Sequence, residues 1–131
     1  MVESAALIRK LQIKAGSRLW LINVPEALAE ALTAGAEVET VRAGEPCDCV
    51  IAFALNPVEA ERFGSQAVKA LGPDGLLWMA YRKGAAGKVS ALTRDTGWEP
   101  LRAAGWDTVR SVSINDEWTG LRFRPAAQIG R

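Results

Sequence analysis

Tyr81, Arg82 and Lys83 stand side by side, and Lys88, Arg94 and Asp95 follow shortly after. Arg82, Lys83, Lys88 and Arg94 fall within thirteen residues. Such a cluster can receive an anionic ligand or partner; its plain alternative is a solvated basic loop. The sequence has no histidine. That excludes a Ser-His-Asp or Cys-His triad, a histidine base and a histidine-ligated metal. An acid or base would have to be a carboxylate, a lysine or Tyr81, and Asp95 and Tyr81 are the candidates. Gly84 and Gly87 flank two alanines, but no Gly-Lys-Ser/Thr opens a helix, so this is not a phosphate-binding P-loop.

Asn23, Glu26 and Asn56 are the other polar candidates. Each has a plain reading beside the functional one. Asn56 precedes Pro57 and lies three residues before Glu59, a helix-capping pattern. Asn23 suits a turn that bonds local backbone. Arg94 and Asp95 suit exposed pairing or capping. Cys47 and Cys49 are too few for a four-thiolate zinc site. Two apart on an extended segment, they are expected on the same side and unbridged. Of the five tryptophans, Trp20 and Trp78 fall in apolar runs and are read as core. Trp98 and Trp118 can pack together, line a pocket or anchor a subunit interface; interior packing is the plain alternative.

The elements that must position these residues follow from periodicity. Leu7, Ile8 and Leu11 have helical spacing. Residues 18–24 and 48–55 are apolar on both faces, as central strands of a helix-covered parallel sheet are. Residues 37–41 make a short strand between them. Pro25 suits the first turn of a helix striped by Leu28, Ala29 and Leu32, with Gly35 as its cap. A third helix runs from Asn56 to about Leu71, where Gly72-Pro73 stops it. Residues 76–81 form the next strand, and a helix beginning at Glu99 or Pro100 ends near Ala104. Residues 106–114 and 117–124 alternate, and Asn115-Asp116 between them is two-residue hairpin chemistry. The order predicts a Rossmann-like three-layer α/β sandwich. Its mostly parallel sheet has about six strands and a C-terminal antiparallel hairpin. One domain over 1–131 is expected, with a loose tail at 125–131.

Two stretches carry a resemblance. Asp48-Cys-Val-Ile-Ala-Phe-Ala-Leu55 resembles the fourth strand of class I S-adenosylmethionine-dependent methyltransferases. Leu71-Gly-Pro-Asp-Gly-Leu-Leu-Trp78 resembles their following helix-to-strand step, and the closing hairpin suits the same fold. The departures concern the cofactor. The turn after the first strand reads Ile22-Asn23-Val24-Pro25-Glu26-Ala27, without the glycines that let backbone approach a cofactor. Glu39 is the loose candidate for the acidic residue that grips the ribose, and one βα unit is missing. The resemblance therefore implies the fold without S-adenosylmethionine. The pieces Ile13–Gly16, Leu21–Glu26, Leu71–Trp78, Leu92–Asp95 and Glu117–Arg124 also resemble a family of small bacterial proteins known as a domain of unknown function. That likeness implies a Rossmann-like domain and no reaction.

In an open α/β sheet, ligands bind beyond the carboxyl ends of the strands, where strand order reverses. Asn23, Glu26, Asn56, Tyr81, Arg82 and Lys83 are expected there, with residues 88–98 folding over them and Trp98 as a lid. The first expectation is a non-catalytic ligand- or protein-binding module. The alternative is a small S-adenosylmethionine- or nucleotide-dependent enzyme with an atypical site. A third is a homodimer formed through an exposed hairpin edge at Trp118 and Phe123, where Arg122 and Arg124 alternate with Leu121 and Phe123. The near-neutral charge of +1 predicts no strong attraction to nucleic acid. No run of 18 apolar residues and no signal-peptide pattern occurs, so a cytoplasmic protein is expected.

Overall fold

The computed structural model describes residues 4–34, 38–84, 92 and 97–125. Among them a helix, α1 (Ser4–Lys10), precedes strand β1 (Arg18–Ile22) and helix α2 (Glu26–Ala34). A two-residue strand β2 (Glu39–Thr40), strand β3 (Cys47–Phe53) and helix α3 (Pro57–Ala70) follow. Strand β4 (Leu71–Arg82), a short helix α4 (Glu99–Ala103) and strands β5 (Trp106–Ser113) and β6 (Trp118–Pro125) complete the order. The strands form one six-stranded sheet in the order β2-β1-β3-β4-β6-β5. The first four run parallel, and β6 is antiparallel to both its neighbours.

The two apolar faces read from β1 and β3 are each covered. Leu7, Leu11, Leu28 and Leu32 bring α1 and α2 onto the face of Leu19, Ile51 and Trp78. Ala60, Phe63, Ala67 and Leu101 bring α3 and α4 onto the face of Trp20, Val50 and Met79. Each large aliphatic side chain so buried contributes about 1.5–3 kcal/mol. Trp78 is fully buried at the centre, and its indole N–H donates to the Leu11 carbonyl at 2.9 Å. That bond satisfies a polar atom which burial would otherwise penalise.

Several boundaries differ from expectation. β1 stops at Ile22 because Asn23 takes a left-handed conformation, φ +57°. Cys47 and Cys49 do not share a side. The register with β4 shifts between them, so Cys47 joins the cluster under α3 and Cys49 the cluster under α1. The hairpin turn has four residues, 114–117, rather than two. Asn115 Oδ1 organises it by accepting from the backbone N–H of Glu117 and Trp118, both at 2.9 Å. β6 is not an edge strand, since it lies between β4 and β5.

β2 reaches β3 without a helix. Residues 41–46 alone cross β1, fewer than a parallel crossover ordinarily takes. The short path works because β2 pairs only with the amino end of β1, Arg18 with Glu39 and Leu19 with Thr40. The turn is clipped by Glu45 Oε1, which accepts from Arg42 N–H at 2.7 Å. No described helix is long and apolar enough to cross a membrane.

Candidate functional site

Strand order reverses between β1 and β3, since the chain goes from β1 to β2 on one side and from β3 to β4 on the other. The site expected from the sequence lies at the carboxyl ends of these two strands. The last registered pair there is Ile22 with Ala52. One step further, Asn23 Nδ2 donates to the Phe53 carbonyl at 3.0 Å. The side chain thus adds a rung beyond the backbone ladder and spans the crevice. On the other flank of β3, Ala54 N–H donates to the Ala80 carbonyl at 3.0 Å. Asparagine tolerates the left-handed backbone that most residues avoid. It therefore supplies the turn a glycine would, while also filling part of the space a glycine would leave.

Asn56 caps α3. Its Oδ1 accepts from Glu59 N–H at 2.9 Å, and Glu59 Oε1 accepts from Leu55 N–H at 2.8 Å. The Asn56 cap is the one read from the sequence, with the return bond of Glu59 one residue before the cap. Glu26 is exposed in the first turn of α2. Two side chains near Asn56 had no signal in the sequence. Leu55 and Val58 are 41% and 74% exposed, the large apolar residues left open among those described. Both lie within two residues of Asn56, just past the carboxyl end of β3.

The β4 candidates divide by strand alternation. Tyr81 is buried on the α3 face, edge-on to Trp98 with ring centres 6.0 Å apart. Trp98 is fully buried and packs on Phe123 at 5.4 Å. Neither is a rim or lid group; both belong to the core. Arg82 is exposed, with its guanidinium 5.6 Å from the Trp118 ring centre. Lys83 Nζ donates to Ser113 Oγ at 2.6 Å. Neither cation is paired with a carboxylate among the described residues. Trp118 is buried against Phe53, ring centres 4.7 Å apart, and Phe123 is fully buried. The interface expected at these two aromatics therefore gives way to interior packing. Lys88, Arg94 and Asp95, with most of residues 88–98, lie outside the described residues, as does Gly35.

The residues present do not fit S-adenosylmethionine in the manner of the resemblance. Asn23 spans the crevice where open backbone is needed. Glu39 pairs beside Arg18, at the opposite end of β1 from Asn23. Five residues of strand separate those levels, about 16 Å.

No protein-family model matches the sequence, and no curated protein matches it. Solved structures do. A SAM-dependent methyltransferase from Aquifex aeolicus is similar at TM-score 0.61 and 13% identity, over 93% of this chain and 89% of that one. A ribosomal protein L11 methylase from Lactobacillus delbrueckii subsp. bulgaricus is similar at TM-score 0.58 and 11% identity, over 93% and 76%. Fibrillarin from Aeropyrum pernix, solved with natively bound S-adenosyl-L-methionine, is similar at TM-score 0.57 and 14% identity, over 91% and 73%. At these identities the likeness shows the fold, which is that of class I methyltransferases.

Proposed function

We propose that this chain binds an anionic small molecule at the carboxyl edge of a methyltransferase-like sheet, without that fold's usual cofactor grip. The observation that carries the reading is the Asn23 bridge to Phe53. It occupies the crevice through which the fold ordinarily takes its cofactor. Arg82 and Lys83 supply positive charge that no carboxylate among the described residues pairs, and Leu55 and Val58 offer apolar surface to the organic part of a ligand. Fold alone does not carry activity to a new chain.

A second reading is a small S-adenosylmethionine-dependent enzyme. The structural neighbours favour it over a non-catalytic module. It requires Asn23 to leave Phe53 when cofactor binds, or the cofactor to lie farther from β1. Calorimetry with S-adenosylmethionine and its demethylated product separates the two. The first reading expects no heat from either up to millimolar concentration. It also expects phosphorylated or carboxylated metabolites to bind less well to Arg82→Glu and Lys83→Glu. Micromolar binding of S-adenosylmethionine would reject it in favour of the enzyme.

A further inference from the structure

A polar cavity lies at the other end of the sheet. It has a volume of about 570 Å³ and is lined by Gln12, Lys14, Ser17, Asp48, Leu76 and Arg122. The connection from α1 to β1 supplies Gln12, Lys14 and Ser17, and the amino end of β3 supplies Asp48. None of these residues belongs to the carboxyl edge described above.

Arg122 is the unusual group. It pairs with Trp78 across β4 and with Arg110 across β5. A like charge directly opposite in a sheet is destabilising. Arg124 follows two residues later, on the same face of the strand. No carboxylate lies within salt-bridge distance of Arg122 among the described residues. One guanidinium nitrogen donates to Gln12 Oε1. Its Nε is shielded from solvent and has no acceptor among the described residues. A buried donor without an acceptor is rare in folded proteins and calls for a reason. Burial, then the like charges of Arg124 and Arg110, lowers the Arg122 pKa, yet a guanidinium stays protonated in proteins. The charge is therefore present and lacks a counterion among the described residues.

Gln12, the residue that meets Arg122, is held at φ +59°. Few residues other than glycine adopt that region. The Gln12 contact thus orients the guanidinium at the cavity wall. Asp48 is already engaged, since its Oδ2 accepts from Arg18 N–H at 2.9 Å. The lining holds two cations, Lys14 and Arg122, against this one carboxylate. Its volume falls within the range of small-molecule sites, about 300–1,000 Å³.

We propose that this cavity binds a small molecule through an oxyanion, a phosphate or carboxylate group seated between Arg122 and Lys14. Guanidinium and ammonium donors form charge-assisted hydrogen bonds with either group, and the planar fork of arginine matches both.

The test is a titration of the whole chain with inorganic phosphate, and separately with acetate, followed by amide NMR at constant ionic strength. Saturable shifts at Lys14–Ser17 are expected from at least one of the two, and the tighter binder identifies the group. Lys14→Gln and Arg122→Gln should each weaken that binding about tenfold, the effect of losing one hydrogen bond to a charged group. Should Arg122→Gln not fold, Lys14→Gln decides alone. Arg82→Gln and Lys83→Gln should leave the affinity unchanged. The proposal is overturned if neither anion saturates, if chloride gives the same shifts, or if Lys14→Gln binds as the parent does. Loss of binding in the Arg82 and Lys83 variants alone would also overturn it, while supporting the site at the carboxyl edge.

Discussion

At the scale of single residues, Asn23 does two tasks that separate on substitution. Its backbone is left-handed and its amide bonds the Phe53 carbonyl. Asn23→Ala loses the bond and keeps the strain, so it should cost about 2 kcal/mol. Asn23→Gly loses the bond but relaxes the backbone and should cost less, as urea unfolding of both variants will measure. The cysteines give a pH prediction. Burial pushes the Cys47 thiol from an ordinary value near 9 up to about 11, with the charge of Asp48 adding to it. Burial, with Cys47 beside it, pushes Cys49 to about 12. The folded chain therefore keeps these protons after the unfolded chain has lost them. Their contribution is complete below about pH 9 and declines as pH rises toward 11–12. Thermal unfolding at pH 8 and pH 10 should show a smaller alkaline loss in a Cys47→Ala, Cys49→Ala variant than in the parent. The sequence told that Asn23 occupies a turn. It did not tell that the side chain reaches another strand, because that contact joins residues thirty apart.

At the scale of elements, α3 and α4 meet through a glycine. A β-carbon on Gly64 would lie 3.0 Å from Leu101 Cδ2 and 3.1 Å from its Cγ. Gly64→Ala gains about 0.5–1 kcal/mol of helix preference but overpacks the contact at a cost of about 1–3 kcal/mol. The net should be destabilising by about 1 kcal/mol, and truncating Leu101 to Val in the same chain should recover part of it in chemical unfolding. The α3 cap was legible because it is local: Asn56, Pro57 and Glu59 specify it within four residues. The hairpin was legible as a hairpin but not in its turn. Asn115 folds back on two backbone N–H groups, and that Asx geometry lengthens the loop to four residues. The side assignment of Cys47 and Cys49 failed for a similar reason. A register shift leaves no mark in apolar spacing.

At the scale of the molecule, strand character and parallel order could be read from the doubly apolar runs at β1 and β3. Which cations face a cavity could not, because it depends on registers that pair Arg122 with Trp78 and Arg110. The sheet is unequal across its width. β2 holds by two registered pairs and flanking bonds from Glu39 N–H to Ser17 and Val41 N–H to Leu19. β3 is paired on both sides over Cys49–Ala52. Native-state hydrogen exchange should therefore release the Glu39 and Val41 amides well before those of Val50 and Ala52. Protection of Glu39 equal to that of Val50 would show that β2 opens only with the whole sheet. The bond from Trp78 to Leu11 spans 67 residues, and it bears on the chain as it is made. α1 packs on α2 as well as on Trp78, but its bond to the indole can form only once β4 has been made, and β4 lacks one flank until β6 follows. Part of the seat of Leu7 and Leu11 is therefore missing until β4 and β6 have been made, and α2 or a shielding partner must cover them meanwhile.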